Sequence, residues 1–190
     1  MMENKGLLIV LSGPSGVGKG TILKKFVNDP SLKLAFSVSM TTRAKREGEE
    51  EGVNYYYVTK ERFQEAIDHG ELLEHAEFVG NCYGTPLKEV ERLRNEGKNV
   101  LLEIEVQGAQ QVMAKAKDAL TIFIVPPSME ELEKRIRGRG TESNDVIESR
   151  LAKAKGELAL KDKYEYVVCN DDVDRAASEI TNIIKKHMAK

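Results

Sequence analysis

A glycine-rich loop that leads into a lysine is the segment of this sequence best suited to chemistry. Residues 13–21 read GPSGVGKGT and follow an apolar run over residues 6–11. Gly13, Gly18 and Lys19 have the Walker spacing of glycine, four residues, glycine and lysine. Such a loop turns backbone N–H groups towards a polyphosphate, and the following helix contributes its positive end. A surface turn that binds nothing is the simpler alternative, but the flanking buried strand and apolar-faced helix favour a phosphate site.

The position after Lys19 departs from the usual pattern. A Ser or Thr hydroxyl normally holds Mg²⁺ there, whereas this chain has Gly20 and carries the hydroxyl one residue later, on Thr21. Glu103 and Glu105 lie two residues apart in an apolar run, so on a strand their side chains would point to one side. Carboxylates and water are typical Mg²⁺ ligands. We therefore expect Thr21, with Glu103 or Glu105, to hold Mg²⁺ through water.

The order of the apolar segments predicts an α/β fold that positions this loop. Strong apolar strands alternate with amphipathic helices, which indicates a central parallel sheet covered on both faces, in three α/β/α layers. Strands are expected at 7–11, 34–39, 54–58, 72–80, 81–85, 99–106, 120–125 and 164–169. Helices are expected at 18–28, 60–69, 86–97, from 107 onward, at 128–138, at 147–158 and from 173 onward.

A middle segment breaks this alternation. Residues 38–90 contain short strands and polar loops, so we interpret them as an insertion on a core made of 1–37 and 91–190, within a single domain of 1–190. The insertion carries Arg43 and Arg46, followed by three tyrosines at 55–57. Arginine forks match phosphate oxygens, although two arginines in a charged loop are by themselves typical of a solvated surface. The run of glutamates at 49–51 is interpreted as solvated loop.

Composition excludes several classes of protein. The chain has 190 residues, with 29 Lys and Arg against 31 Asp and Glu, and a net charge of −2. A protein that binds extended nucleic acid usually carries a surplus of basic residues, so we expect no nucleic-acid partner. No apolar stretch approaches the ~20 residues of a membrane span, and no signal peptide is recognisable, so we expect no membrane partner. Two cysteines without a C-x-x-C pair indicate a cytoplasmic protein without a structural disulfide.

The chain resembles the guanylate kinases, and the resemblance covers nearly all of it. The matching blocks, in the order of that family, are GPSGVGKGT, SVSMTTRAKREGE, GVNYYYV, LLEHAEFVGNCYGTP, LLEIEVQGA, IFIVPPS, RIRGRGTES and YEYVVCNDD. The resemblance implies a phosphate-loop α/β fold and Mg²⁺-dependent transfer of the ATP γ-phosphoryl group to GMP, which gives ADP and GDP in purine nucleotide metabolism. It also implies a short lid over residues 137–150.

The resemblance assigns roles residue by residue. Positions that hold the GMP phosphate match Arg43, Arg46, Tyr55 and Tyr83, and positions around guanine match Ser39, Glu74, Thr85 and Glu105. The family more often has Asp where this chain has Glu105, so that residue is left between guanine and metal. Catalytic positions match Lys19, Arg43 and the lid arginines Arg139 and Arg150. The ATP positions match Gly13, Pro14, Ser15, Gly16, Val17, Gly18, Lys19, Gly20, Thr21 and, near the base, Asn170.

The chemistry of guanine agrees with these roles. Its N1–H and 2-amino donors lie side by side, and an ionised Glu74 could accept both, while Thr85 could donate to O6. Two alternatives remain. Guanylate-kinase-like domains of scaffold proteins bind peptides, but they typically lose the phosphate loop and the lid arginines, which this chain keeps. A kinase for another nucleoside monophosphate is the second alternative, and the pair of Glu74 and Thr85 discriminates against it.

Overall fold

Two β-sheets organise the protein. The computed structural model describes residues 5–78, 80–138 and 143–189. Among them, strands are β1 (Leu8–Ser12), β2 (Leu34–Ala35), β3 (Ser39–Thr41), β4 (Tyr55–Tyr57), β5 (Leu72–Phe78), β6 (Asn81–Pro86), β7 (Asn99–Glu103), β8 (Leu120–Val125) and β9 (Tyr166–Cys169). Helices are α1 (Lys19–Phe26), α2 (Lys60–Asp68), α3 (Leu87–Asn95), α4 (Val106–Lys115), α5 (Met129–Arg137), α6 (Asn144–Leu158) and α7 (Val173–Met188).

The larger sheet is parallel and has helices on both faces. Its order is β2-β7-β1-β8-β9, with β1 paired to β7 and β8 at the centre. All five residues of β1 are buried, because alternate side chains enter opposite hydrophobic clusters. Ile9 and Leu11 pack with α1 and α7, whereas Leu8 and Val10 pack with α3 and α4. The predicted α/β fold with a central parallel sheet is confirmed.

The smaller sheet lies within residues 39–86 and has a core of its own. Its order is β4-β3-β6-β5, with β3 parallel to β4 and antiparallel to β6. Its hydrophobic cluster contains Met40 and Leu72, from the strands, and Phe63 and Ala66, from α2. This sheet therefore has a hydrophobic core of its own, while Leu73 of β5 packs into the central-sheet cluster that also contains α3 and α4.

The single strand predicted at residues 34–39 is wrong. Leu34 and Ala35 pair with Asn99 and Val100 of the central sheet, whereas Ser39 pairs with Tyr55 of the smaller sheet. The chain leaves one sheet and joins the other within three residues. Strand pairing depends on partners far along the chain, so local apolar content could not reveal this break.

The predicted strand at residues 99–106 ends early. Strand β7 stops at Glu103, and Glu105 instead precedes α4 as its N-cap residue. The last backbone contact along this edge joins the Ile104 N–H to the Leu11 carbonyl at 3.2 Å, and Ser12 Oγ donates to the Ile104 carbonyl at 3.0 Å. Beyond Ser12 the partner strand becomes the phosphate loop, so no ladder is left to extend. Glu103 and Glu105 consequently do not share a strand face, contrary to expectation.

The C-terminal ends of the parallel strands place the candidate site. The glycine-rich loop follows β1, Ile104 and Glu105 follow β7, and Asn170 follows β9. Ligands of open parallel sheets bind at this edge, outside the carboxyl ends of the strands. Among the described residues, no helix has the length and apolarity to cross a bilayer.

Candidate functional site

The glycine-rich loop has backbone and packing that only glycine suits. Gly18, which precedes α1, has a φ of 99°, and a Cβ there would lie 2.6 Å from Nδ2 of Asn170. A Cβ at Gly13 would lie 2.5 Å from the carbonyl oxygen of Ile124. The loop is thus held tightly between β8 and the end of β9. Close packing of this kind fixes the loop backbone, as a cradle of N–H groups for phosphate requires.

Lys19 folds back over the loop that precedes it. Its Nζ donates to the carbonyl of Gly13 at 2.7 Å and to that of Pro14 at 3.3 Å. Burial lowers the pKa of Lys19, and the nearby carboxylates of Glu103, Glu157 and Glu105 oppose that shift. An ammonium group is thereby held over the loop within the field of several acids.

Helix α6 meets the loop through an arginine. Arg150 Nη2 donates to Ser15 Oγ at 2.7 Å, so this predicted catalytic residue lies at the phosphate loop. Arg139, the other predicted lid arginine, lies outside the described residues. Arg135 begins the matched block RIRGRGTES but was not among the predicted site residues. It donates to the carbonyls of Val17 at 3.3 Å and Asn170 at 3.0 Å. Arg135 therefore ties α5 to both the loop and the end of β9.

Asn170 closes a small pocket beside the loop. Its Nδ2 donates to the Val17 carbonyl at 2.8 Å, and its buried Oδ1 has no hydrogen-bond partner among the described residues. The pocket has a volume of about 300 Å³, and its lining includes Gly18, Thr21 and Arg135. Thr21 therefore lies on the side of α1 that borders the same pocket as Asn170.

The two predicted metal carboxylates point in different directions. Glu103 lies beside the start of α1, where its Oε1 would be 3.7 Å from a Cβ added at Gly20. Glu105 instead pairs with Lys153 of α6, with Oε2 and Nζ 3.3 Å apart. Within residues 5–78, 80–138 and 143–189, no group of three or more His, Cys, Asp or Glu side chains could hold a metal ion.

A buried carboxylate forms the second part of the site. Glu74 is 7% exposed, and Thr85 Oγ1, opposite it in the β5–β6 ladder, donates to its Oε1 at 2.6 Å. Burial raises the pKa of Glu74 above its ordinary value. Helix α4 passes over this carboxylate at Gly108, where a Cβ would lie 2.7 Å from Oε2 of Glu74. Gly108 was not among the predicted site residues, since a helical glycine carries no chemical signal.

An arginine–tyrosine cluster forms the third part. Arg43 lies with its guanidinium carbon 5.4 Å from the ring centroid of Tyr55 and 5.9 Å from that of Tyr57. The ring centroids of Tyr55 and Tyr83 are 6.0 Å apart. The smaller sheet thus brings Arg43, Tyr55 and Tyr83, all predicted phosphate ligands, to one place. Ser39 begins β3 directly opposite Tyr55.

Glu49 joins this cluster, so its interpretation as part of a solvated loop is wrong. Its side chain is only 19% exposed and accepts from Nη1 and Nη2 of Arg43, at 3.1 and 2.8 Å. The backbone N–H of Arg46 at 2.8 Å and the hydroxyl of Tyr57 at 2.7 Å donate to Glu49 Oε2. These contacts lower the pKa of Glu49 to about 2, and the Arg43 guanidinium makes the largest contribution. Glu49 ends the matched block SVSMTTRAKREGE and lies three residues after Arg46, and these two sequence signals could have indicated this role.

The comparisons with known proteins agree with one another. A family model described as guanylate kinase matches residues 5–187. A guanylate kinase of Mesoplasma florum is 57% identical over 183 residues, which cover 96% of this chain and 62% of that protein's length. A guanylate kinase of Streptococcus pyogenes is 51% identical over 184 residues, 97% of this chain and 87% of that protein. The crystal structure of guanylate kinase from Anaplasma phagocytophilum superposes with a TM-score of 0.73 and 38% identity, over 100% of this chain and 90% of that one.

Proposed function

The chain belongs to the guanylate kinase family, and from this premise we propose that it transfers the γ-phosphoryl group of ATP to GMP, forming ADP and GDP. The observation that carries the proposal is the buried Glu74 carboxylate, bound by Thr85 on the same sheet as the arginine–tyrosine cluster. A base reader and a phosphate reader on one sheet suit a nucleoside monophosphate.

Glu74 reads the base in this proposal. Its two oxygens would accept the N1–H and 2-amino donors of guanine, and Oε1 can do so while it also accepts from Thr85, since each carboxylate oxygen has two lone pairs. The Thr85 hydroxyl proton is directed at Glu74, so Thr85 would orient the carboxylate in this arrangement. Adenine lacks both donors and would leave the carboxylate lone pairs that face the base unpaired, at a cost of about 1–3 kcal/mol or more. Ser39 and Glu105 complete the proposed surroundings of guanine.

The arginines and tyrosines hold the GMP phosphate. Arg43 and Arg46 would supply guanidinium donors, and the hydroxyls of Tyr55 and Tyr83 would complete the shell. The exposed Arg46 residue extends from the same loop that Glu49 closes. Charge-assisted contacts of this kind bind a phosphate and fix its direction, which is what an in-line transfer requires.

The phosphate loop and the arginines of the lid act on the donor. ATP would lie on residues 13–21 with its base near Asn170, and Lys19 would exchange its contacts with the loop carbonyls for phosphate oxygens. The GMP phosphate is already a nucleophile, so no general base is needed. Lys19, Arg43, Arg139 and Arg150 would offset the negative charge that spreads over the transferred group, which lowers the barrier electrostatically.

The donor set fits a hydrated magnesium ion. Glu103 lies beside Gly20 at the start of α1, and Mg²⁺ binds through one or two carboxylates, water and substrate phosphates. We assign Glu103 the larger share, because Thr21 lines the Asn170 pocket and Glu105 is paired with Lys153. When bound, the ion would neutralise charge on the ATP phosphates.

The two sheets support a division of the domain into a core and an insertion. We propose a single domain of residues 1–190, in which 38–90 forms the acceptor-binding insertion on a core of 1–37 and 91–190. The separate hydrophobic cluster of the smaller sheet supports this division. Residues 137–150 would form the lid that brings Arg139 and Arg150 to the phosphates and keeps water from the transferring group.

A substrate panel tests the proposal. Purified protein is given ATP and Mg²⁺ with GMP, AMP, UMP or CMP, and ADP release is followed in a coupled assay. We expect kcat/KM for GMP to exceed that for AMP by about 10²-fold or more, because a buried acceptor is left unpaired by adenine. Preferential turnover of AMP, UMP or CMP would show that this nucleotide, and not GMP, is the phosphoryl acceptor. Absence of turnover with all four would instead favour a non-catalytic binding module.

A further inference from the structure

We propose that Glu49 is a positioning residue, which holds the guanidinium of Arg43 so that its unused edge is presented to the acceptor phosphate. The inference rests on the proposed function and adds to it an acidic residue inside a phosphate site. An acid so placed repels a phosphate, so its presence there needs a reason other than charge.

The hydrogen bonds of Arg43 show which edge is engaged. A guanidinium has five N–H donors in a fixed plane. Nη1 donates to Glu49 Oε2 at 3.1 Å and to the Ala44 carbonyl at 2.9 Å, and Nη2 donates to Glu49 Oε1 at 2.8 Å. Within the described part of the chain, none of these three hydrogen bonds uses the Nε–H or the second N–H of Nη2, and these two groups lie along one edge. That edge has the fork geometry that binds phosphate bidentately.

Glu49 is itself held in place. Its Oε2 also accepts from the Arg46 N–H at 2.8 Å and from the Tyr57 hydroxyl at 2.7 Å. The side chains of Arg43 and Glu49 are only 13% and 19% exposed, and the rings of Tyr55 and Tyr57 lie against the guanidinium. A long arginine side chain is thereby fixed before substrate arrives, so less conformational entropy is lost on binding. Glu49 and, to a smaller extent, the neighbouring Tyr83 hydroxyl raise the pKa of Arg43.

Two competing roles for Glu49 predict the opposite result. If only net charge mattered, removal of the Glu49 carboxylate would relieve repulsion and tighten GMP binding. If Glu49 merely occupied the place of the phosphate until GMP displaced it, its removal would again tighten binding. A positioning role alone predicts weaker binding after the loss of a negative charge.

The experiment measures GMP and guanosine affinity by calorimetry for the wild type, Glu49→Gln and Glu47→Gln. Glu47→Gln removes the same charge from an exposed position in the same loop. We expect Glu49→Gln to weaken GMP binding by about tenfold or more, since misplaced ligating groups cost one to two orders of magnitude. Guanosine affinity and the Glu47→Gln affinities should stay at wild-type values. Unchanged or tighter GMP binding by folded Glu49→Gln would overturn the inference alone, whereas a wild type that does not bind GMP would overturn the proposed function as well.

A double-mutant cycle identifies the route. In an Arg43→Met background, Glu49→Gln should change GMP affinity by less than about twofold, because the residue through which it acts is gone. An undiminished effect in that background would show that Glu49 does not act through Arg43. Should Glu49→Gln lose its thermal transition, Glu49→Asp is measured in its place. That variant keeps the charge and shortens the reach by one methylene, and wild-type GMP affinity in it would overturn the proposal.

Discussion

A Cβ atom added at Gly108 would lie 2.7 Å from Oε2 of Glu74, so helix α4 covers the buried carboxylate at van der Waals distance. A methyl group there cannot be accommodated unless the carboxylate moves. Glu74 is also fixed on its other oxygen by Thr85, at 2.6 Å. The position of the proposed guanine reader is therefore set by a residue that has no side chain.

Gly108→Ala should impair use of GMP while sparing ATP. Displacement of Glu74 misplaces both acceptors for guanine, and we expect the KM for GMP to rise about tenfold or more. The KM for ATP should stay within about twofold, and steady-state kinetics with each substrate varied measures both. Alanine favours helix over glycine by about 1 kcal/mol, so helix propensity cannot explain a loss.

Gly156→Ala is the matched control for that substitution. Gly156 lies in α6, and apart from its chain neighbours and the backbone of its own helix no described atom is within 4 Å of a Cβ added there. Its replacement should leave both KM values unchanged and stabilise the protein slightly, by about 0.4–1 kcal/mol. A folded Gly108→Ala protein with the KM of the wild type for GMP would refute the steric role of Gly108.

Glu74→Gln should stabilise the free protein increasingly as pH rises. Burial raises the pKa of Glu74, so the folded state binds its proton more tightly than the unfolded state does. Stability is therefore lost as pH rises from the unfolded pKa, roughly 4, through the higher folded pKa, and the loss persists above it. An amide does not ionise and avoids that loss. Thermal melts of both proteins from about pH 4 to 8 should show a Tm difference that grows with pH.

The same variant should use GMP poorly, because the side-chain amide presents a donor where guanine needs an acceptor. Glu77→Gln, at the exposed end of the same strand, serves as the control for removal of a charge. A Tm difference for Glu74→Gln that is flat or shrinks with rising pH would contradict the raised pKa of Glu74.

Lys19→Met should reduce kcat by about 10²-fold or more. The ammonium lies over the glycine-rich loop, 2.7 Å from the Gly13 carbonyl, and in the proposed mechanism its charge offsets the charge that develops during transfer. Lys24→Met, on the exposed face of the same helix, removes an equal charge and should keep wild-type turnover. The ADP-release assay at saturating substrates compares the two, and similar kcat values for both variants would remove Lys19 from the mechanism.

Arg46→Met should raise the KM for GMP and leave the Tm unchanged. Arg46 contributes its backbone N–H to Glu49 at 2.8 Å, and the substitution keeps that bond while it removes an exposed guanidinium. Loss of a charge-assisted phosphate contact is worth about 1.5–3 kcal/mol, or about 10- to 100-fold. Lys45→Met, its exposed neighbour, controls for net charge. Equal KM values for the two variants would assign Arg46 to solvent.

Most of the central sheet could be predicted from local sequence. Strands β1, β7 and β8 are apolar runs that enter a sheet buried on both faces, and their helices have clear apolar stripes. The sequence could not show that residues 34–39 divide between two sheets, because that depends on Val100 and Tyr55, far along the chain. It also could not show that β7 ends when its neighbour becomes the phosphate loop.

The candidate site was predictable to the extent that its residues carry chemistry. Arg43, Tyr55 and Tyr83 were predicted as a group, and the structure places them together; their binding of phosphate remains a prediction. Glu49 was missed because a glutamate in a glutamate run resembles solvated loop until its partners are known. Gly108 was missed because its effect is steric and acts on a residue distant in sequence, Glu74.

Gln111 of α4 binds both the backbone N–H and the backbone carbonyl of His75 on β5. Its Oε1 accepts from the His75 N–H at 3.0 Å, and its Nε2 donates to the His75 carbonyl at 2.8 Å. The smaller sheet is thus attached to the core at its β5 border, and β4 forms the opposite border. We therefore expect any rotation of the smaller sheet relative to the core to move the tyrosines of β4 farther than Glu74 of β5.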